Sequence, residues 1–213
     1  MTSADLKAQL ARGCAQLHVD LPPGAQQSLL DFIALLTKWN AAYNLTAIRV
    51  PTEMVSKHLL DSLSVLPFLQ GNRIVDVACG AGLPGIPLAL ACPDRQFVLL
   101  DSQAKKTRFV THANAILGLR NVEVVQSRAE DYRPMELFAT VISRAFASLL
   151  DFMQLAGHLG EPHASFLAMK GQPPVGELQA LPPGFHARVH PLMVPGLKAH
   201  RCVVEIRKNE DVR

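Results

Sequence analysis

Residues 74–85 decide the fold, and they read Ile-Val-Asp-Val-Ala-Cys-Gly-Ala-Gly-Leu-Pro-Gly. A short apolar strand leads into Gly80, Gly82 and Gly85, which satisfy the pattern G-x-G-x-x-G ahead of a predicted helix. Glycine is needed there because the backbone must turn sharply and let a ligand approach within contact distance. The helix would also offer free N–H groups to an anion. The stretch predicts a cofactor-binding loop, and a tight strand–helix turn without a ligand is the alternative.

An acidic residue supports the cofactor interpretation. Asp101 stands 19 residues after Gly82, at the end of the second predicted strand. In folds with this loop, a carboxylate at that place reaches the ribose diol of a nucleotide cofactor. We therefore predict that Asp101 binds ribose.

Outward from the loop, short apolar strands alternate with helices. Such alternation predicts right-handed crossovers and a buried parallel sheet. The tail differs, because its two β-rich stretches, 186–194 and 201–207, are separated by Pro195-Gly196 and leave no room for a crossover helix. It predicts an antiparallel hairpin that closes the sheet. The predicted strands are residues 74–78, 96–101, 122–125, 140–143 and 165–169, and the predicted helices are residues 85–92, 104–117 and 149–158.

The first third of the chain has a different character. Apolar residues between Leu29 and Trp39 recur at helical spacing, and a further helix is predicted from Pro51 towards Leu66. We therefore divide the chain into an N-terminal helical cap, residues 1–72, and an α/β domain, residues 73–213, that form a single compact unit.

Two features favour S-adenosylmethionine over a nicotinamide dinucleotide as the cofactor. Asp76 lies at the end of the first strand, where an acid is expected to face the methionine end of S-adenosylmethionine but would repel a pyrophosphate. The antiparallel tail is the second feature, since the methyltransferase fold has one and the dinucleotide domain lacks it.

Composition excludes several classes of protein. With 49% hydrophobic and 18% charged residues, the chain is not a disordered one, and its formal net charge of +3 permits an anionic partner without requiring it. The four cysteines are scattered without a C-x-x-C pair, which argues against a zinc ribbon. We see no signal peptide and no apolar run of membrane-spanning length, so we expect a cytoplasmic protein that does not bind a membrane or a metal.

Six stretches, in order along nearly the whole chain, carry a more specific signal than the glycine loop. They are KWNAAYNLT (38–46), HLLDS (58–62), GAGLPGIPL (80–88), LLDS (99–102), VISRAFASL (141–149) and KGQ (170–172). Together they resemble the RsmG family, also called GidB or glucose-inhibited division protein B. The resemblance implies a bacterial S-adenosylmethionine-dependent methyltransferase that modifies N7 of a guanine in 16S ribosomal RNA. It further implies a Rossmann-like sheet of order 3-2-1-4-5-7-6 with strand seven antiparallel, and a monomer whose partner is that RNA or the small ribosomal subunit.

The resemblance also implies site residues. It places cofactor contacts at Ala78, Leu83, Ala129, Glu130 and Arg144, to which our reasoning from the loop and the ribose adds Gly80, Gly82 and Asp101. The chain departs from the family at Ala78 and Cys79, where a glycine and a small hydroxyl residue are usual. We interpret Cys79 as a small buried filler.

Arg144, at the end of the fourth strand, is the residue we expect nearest the target base. A guanidinium there can stack on guanine or hold a phosphate. The alternative is a salt bridge to Asp76 or Asp101 that shapes the pocket. Phe146 either stacks on the base or belongs to the core.

RNA contacts are predicted at Lys105, Lys106 and Arg108, which crowd the first turn of a helix, and at Lys57 and His58 of the cap. A solvated face is the alternative for the helix, and His58 has another partner available in Asp61, three residues further along.

The chemistry requires little from side chains. N7 of guanine carries a free lone pair at neutral pH, so methyl transfer needs orientation and no general base. Two rival functions remain open. One is a small NAD-dependent oxidoreductase, and the other is an RNA-binding ribosome assembly factor that kept the fold without turnover.

Overall fold

Seven strands form one mixed sheet in the computed structural model, which describes residues 3–144 and 146–209. The strand order is β3-β2-β1-β4-β5-β7-β6, as predicted. β1 pairs in parallel with β2 and β4, whereas β7 runs antiparallel to both β5 and β6. The strands are β1 (Arg73–Val77), β2 (Gln96–Asp101), β3 (Val122–Gln126), β4 (Phe138–Ser143), β5 (Gly160–Lys170), β6 (Phe185–Pro191) and β7 (Cys202–Lys208).

The helices of the α/β part follow the predicted crossovers. α5 (Gly85–Ala91) connects β1 to β2, α6 (Ala104–Leu117) connects β2 to β3, and α7 (Leu149–Ala156) connects β4 to β5. The prediction for α7 extends two residues too far, because Gly157–Leu159 forms a tighter 3₁₀ turn. A short helix, α8 (Val175–Leu178), precedes β6.

The N-terminal part is helical, as predicted. It contains α1 (Ser3–Gln16), α2 (Ala25–Tyr43), α3 (Pro51–Met54) and α4 (Asp61–Leu63), with a π-helical segment, Val55–Leu60, between the last two. Pro51 suits the first position of a helix, where its missing N–H leaves no bond unmade. π-Helical turns are rare in proteins, and those that occur are often found at functional sites.

This helical part and the sheet share one hydrophobic core. Leu29, Phe32 and Leu36 of α2 are wholly buried in the same cluster as Phe97 of β2 and Phe109 of α6. The Phe32 and Phe109 rings lie 6.1 Å apart, within the range of favourable aromatic packing. The cap therefore packs against β2 and α6. Its residue Asp61 also lies 3.4 Å from Arg144, just after the carboxyl end of β4, the edge where ligands bind in open α/β sheets.

Candidate functional site

The glycine loop has a backbone that few residues adopt. Ala78, Gly80 and Gly82 have φ values of +57°, +59° and +76°. A Cβ on Gly82 would lie 2.7 Å from Cδ1 of Ile86, so any side chain there would displace Ile86 as well as strain the backbone. Ala78 does carry a side chain at positive φ, which costs about 1–2 kcal/mol relative to a right-handed conformation.

Asp76 lies beneath this loop, wholly buried. Its Oδ2 accepts a hydrogen bond from the Gly85 amide at 2.8 Å, while its Oδ1 is buried without a hydrogen-bond partner. Burial raises the pKa of the carboxyl group from 3.8 to about 7. Through Oδ2 the carboxylate binds the loop's own backbone, and the expectation that Asp76 faces the methionine end of the cofactor stays a prediction. The carboxylate also occupies the first amide of α5, which is therefore not free for an anion.

Asp101 holds the loop from the other side. Its Oδ2 accepts from the Gly80 amide at 2.9 Å and lies 3.6 Å from Nζ of Lys106, and its Oδ1 accepts from the Gln103 amide at 2.8 Å. A carboxylate offers about four acceptor positions, so these contacts leave capacity for a ligand hydroxyl.

A cavity of about 140 Å³, here named the Asp101 cavity, opens beside that carboxylate. Val77, Leu100 and Phe146 give it apolar walls, and Asp101 and Glu130 contribute carboxylates. Apolar faces for a purine ring with an acid for its ribose fit the adenosine of S-adenosylmethionine. Ala78, Ser102 and Ala129 also line it. Phe146 packs on Phe152 with ring centroids 5.2 Å apart, so it lies on this side of the site.

Two further cavities continue from the first. The glycine-loop cavity, of about 160 Å³, is lined by Ala78, Gly80, Leu83, Lys106 and Arg144 among others. Ala78 thus lines both it and the Asp101 cavity. The Asp61 cavity, of about 310 Å³, has Arg144 in common with the glycine-loop cavity. Its other walls include Lys57, His58, Asp61, Lys170 and Arg201.

Arg144 pairs with an acid that the sequence did not indicate. Its Nη1 lies 3.4 Å from Oδ2 of Asp61, whose Oδ1 accepts from Nε of Arg201 at 3.0 Å. The predicted alternative of an Arg144 bridge to Asp76 or Asp101 is therefore wrong in its partner. Burial raises the pKa of Asp61 above its ordinary 3.8, against the opposing effect of both arginines.

His58 does not pair with Asp61 either. Its Nε2 lies 3.0 Å from Oγ1 of Thr46, and its Nδ1 lies 3.2 Å from the Lys57 carbonyl oxygen. Burial, with a smaller effect of Arg144, lowers the pKa of His58 from 6.5 to about 4. A neutral, buried ring of this kind is poorly suited to the phosphate contact that the sequence predicted.

The predicted basic residues differ in their surroundings. Lys105 and Arg108 are exposed on α6, as is His112 on the same face. Lys106 instead turns towards Asp101, which explains why a cation is favourable at a helix start despite the helix dipole. Lys57 forms an ion pair with Glu53 at 3.0 Å.

Cys79 and Lys170 have structural surroundings. Cys79 is buried in the core, and burial raises the pKa of its thiol well above the usual value, so it is a filler and not a thiolate nucleophile. Nζ of Lys170 donates to Glu177, Phe146 O and Ala147 O. The Lys170 ammonium group therefore already has hydrogen-bond partners within the protein.

Other potential sites give weaker signals. Two larger depressions surround Pro22–Gly24, but one of them includes Gln96 and Asn121 and so lies at the amino ends of the strands, away from the usual ligand edge. Across residues 3–144 and 146–209, no group of three or more His, Cys, Asp or Glu side chains is arranged to hold a metal ion. In the same part of the chain, no helix combines the length and the apolar character needed to cross a membrane.

The sheet order with its antiparallel β7, the glycine loop after β1 and the acid at the end of β2 define an S-adenosylmethionine-dependent methyltransferase. Solved structures share the fold. One is the O-methyltransferase TomG from Streptomyces achromogenes, in complex with S-adenosylmethionine. Its superposition covers 99% of this chain and 100% of TomG, with a TM-score of 0.60 and 16% sequence identity. An S-adenosylmethionine-dependent methyltransferase from Aquifex aeolicus matches 70% of this chain and 90% of its own with a TM-score of 0.53 at 21% identity.

Within that class, the chain belongs to the rRNA small subunit methyltransferase G family, whose sequence profile matches residues 25–204. The ribosomal RNA small subunit methyltransferase G of Pseudomonas syringae pv. syringae is 51% identical over 201 residues, which are 94% of each chain. That of Nitrosococcus oceani is 52% identical over 199 residues, 93% of each chain. The family predicted from the six sequence stretches is thereby confirmed.

Proposed function

We propose that this chain transfers the methyl group of S-adenosylmethionine to N7 of a guanine in the 16S ribosomal RNA of the small subunit. The observation that carries the proposal is the identity of about half of all residues, over 94% of both chains, with a ribosomal RNA small subunit methyltransferase G. The three cavities support it, since they offer separate places for adenosine, methionine and a base, and successive cavities share a lining residue, Ala78 and then Arg144.

In this proposal, the Asp101 cavity receives adenosine and the glycine-loop cavity receives the methionine part. Asp101 binds the ribose hydroxyls, while Ala129 and Glu130 meet the adenine edge. Gly80, Gly82 and Leu83 form the loop wall, with Ala78 at the junction of the two cavities. The cofactor supplies a sulfonium methyl group that a lone pair takes by direct displacement, leaving the C–S electrons on sulfur and the positive charge on the base.

The chain's own task is orientation. Arg144 lines the glycine-loop cavity and the Asp61 cavity, so it can hold a base in one while N7 faces the other. Fixing two reactants in this way can contribute up to roughly 7–11 kcal/mol. No proton needs to leave N7, which agrees with the neutral, hydrogen-bonded state of His58 and the wholly buried position of Asp76.

RNA binding is assigned in the proposal to Lys105 and Arg108, two exposed cations at the start of α6, where Lys106 lines the glycine-loop cavity. We further propose that the protein acts in the cytoplasm, where its RNA substrate is found, without a membrane partner and, as the family resemblance implies, as a monomer.

Two measurements test this function. Calorimetry should detect binding of S-adenosylhomocysteine and none of NADH, and the reverse result would favour the oxidoreductase. Transfer of labelled methyl should then be compared on naked 16S RNA, assembling subunits and mature subunits. RNA transcribed with 7-deazaguanosine is the matched control, since it lacks only N7 and should accept no methyl group. Cofactor binding without transfer to any of the three substrates would favour the assembly factor.

A further inference from the structure

The Asp61 cavity contains an acceptor and a donor side by side. Oδ2 of Asp61 lies 3.4 Å from Nη1 of Arg144, and both residues line the cavity. An ionised carboxylate only accepts hydrogen bonds and a guanidinium only donates them. The pair therefore presents a fixed acceptor–donor order to anything that enters the cavity.

Capacity remains on both groups for a ligand. Asp61 accepts one contact from Arg144 and one from Nε of Arg201, of about four positions that a carboxylate offers. Arg144 contacts Asp61 and the Lys57 carbonyl through the same nitrogen, Nη1. These two contacts therefore do not use Nε or Nη2. Arg201 fixes the second oxygen of Asp61, which sets the orientation of the acceptor.

The order of these groups matches one purine edge. Guanine presents an acceptor, O6, next to a donor, N1–H, whereas adenine presents a donor next to an acceptor. Resting on the proposed function, we infer that Asp61 accepts from N1–H and Arg144 donates to O6 of the target base, so that this pair determines specificity for guanine.

The position of N7 on guanine is consistent with this pairing. N7 lies beyond O6, on the side of the base away from N1. A base whose O6 contacts Arg144 and whose N1–H contacts Asp61 thus presents N7 past Arg144. That is the direction of the glycine-loop cavity, which Arg144 also lines.

Burial makes the discrimination effective. Asp61 is 2% exposed, so a mismatched edge would leave its oxygen and the base's own polar atoms unpaired and away from water. Enzymes that read a substrate group by hydrogen bonds to buried partners reject analogues that lack it far more strongly than apolar pockets do.

Base analogues test this in the unaltered enzyme. The methylated guanine is first mapped, and 16S RNA is then assembled by ligation with an analogue at that position. This RNA is presented as whichever of the three substrates (naked RNA, assembling subunit or mature subunit) accepts methyl, and kcat/KM for methyl transfer is measured. Inosine keeps O6 and N1–H and should react within about threefold of guanine. 2,6-Diaminopurine keeps N7 but reverses the edge, and it should lose roughly 10- to 100-fold. Equal rates for all three, or rejection of inosine, would overturn the assignment.

Variants assign the discrimination to Asp61. In Asp61→Asn, activity on guanine should fall, and the ratio of guanine to 2,6-diaminopurine should shrink to within about threefold, while S-adenosylhomocysteine affinity stays unchanged. If Asp61 only supports the fold, Asp61→Asn should lower kcat/KM for guanine and for 2,6-diaminopurine by the same factor, and this result would overturn the inference. If Asp61→Asn does not fold, Arg144→Lys, which removes the planar donor set, should show the same loss of ratio, and a preserved ratio would contradict us. A wild-type enzyme inactive on every RNA would instead refute the proposed function.

Discussion

The Asp101 carboxylate accepts a hydrogen bond from the Gly80 amide at 2.9 Å, so the acid at the end of β2 also fixes the glycine loop after β1. The two residues are 21 positions apart, and the adjacent parallel strands bring them to the same edge of the sheet. If Asp101 also binds the ribose as proposed, cofactor affinity at this edge depends on it in two ways, through that contact and through the shape of the loop.

Asp101→Ala should weaken binding of S-adenosylhomocysteine by about 1–3 kcal/mol, the cost of losing charge-assisted hydrogen bonds. Isothermal titration calorimetry measures this, with Asp94→Ala as a control at an exposed acid. A 2′-deoxy analogue separates the two contributions. If Asp101 contacts the ribose, the losses caused by the variant and by the analogue are not additive. Full additivity would leave Asp101 only its role in the loop.

Ala78→Gly should stabilise the protein by about 0.5–1 kcal/mol, because the strain of a side chain at positive φ exceeds the entropy cost of glycine in the unfolded chain. Ala78 has φ of +57°. Urea denaturation measures the change. Ala11→Gly, at an exposed position within α1, is the matched control and should destabilise by about 1 kcal/mol. A loss of stability in both variants would mean that the loop carries no strain at Ala78.

The sequence predicted the sheet well because its signals are local. The glycine loop, the alternation of strands and helices and Pro195-Gly196 each act over a few residues. Together they predict the parallel strands, their crossovers and the antiparallel hairpin, while the family resemblance supplied the order of the seven strands, which the structure confirms. The contacts of Asp61 could not be predicted in this way. Its partners Arg144 and Arg201 are 83 and 140 residues away, and only the completed sheet brings β4 and the start of β7 to the helical cap. Arg201 itself carries no local motif that would have indicated it.

The same limit applies to the hydrogen bonds of Asp76 and His58. For Asp76 the sequence indicated no partner within the protein, and for His58 it offered Asp61 on the same helix. The partners in the structure come from other segments: the Gly85 amide of α5 for Asp76 and the Thr46 hydroxyl for His58. Helical spacing brought His58 and Asp61 near each other, but two arginines compete for the carboxylate. Spacing along one helix does not show which long side chains arrive from elsewhere.

His58 should make stability depend on pH. Its pKa is about 4 in the folded protein and 6.5 ordinarily, so the unfolded chain binds the proton more tightly. The contribution is complete above pH 6.5 and is lost as the pH falls towards 4, on the order of 2 kcal/mol between pH 7 and pH 5. Asp76, with a raised pKa, acts in the opposite direction, so the comparison is between wild type and His58→Gln.

In urea denaturation at pH 7 and pH 5, His58→Gln should lose less stability on acidification than the wild type does. His163→Gln, at an exposed histidine, should follow the wild type. If His58→Gln and the wild type lose the same amount, His58 is not held neutral by its burial.

The cations at the start of α6 should separate into two groups. Lys105→Ala and Arg108→Ala should weaken RNA binding and flatten its dependence on log salt by about 0.7–0.9 per contact, without an effect on cofactor affinity. Lys106→Ala should weaken cofactor binding as well, because its Nζ lies 3.6 Å from the Asp101 carboxylate. Filter binding across a salt series and calorimetry measure the two effects. An unchanged salt slope for Lys105 and Arg108 would assign them to a solvated face.

Arg144→Ala should affect the rate of transfer more than cofactor binding. The guanidinium lies between the Asp61 cavity and the glycine-loop cavity, where it can orient a base. A small displacement of N7 from the methyl carbon can cost roughly 100-fold in rate. Single-turnover transfer at saturating cofactor and RNA should therefore fall by about that factor, while affinity for S-adenosylhomocysteine changes by less than about threefold. Loss of that affinity with an unchanged saturated rate would show instead that Arg144 shapes the cofactor pocket, and the orientation of the target base would then have to come from another residue.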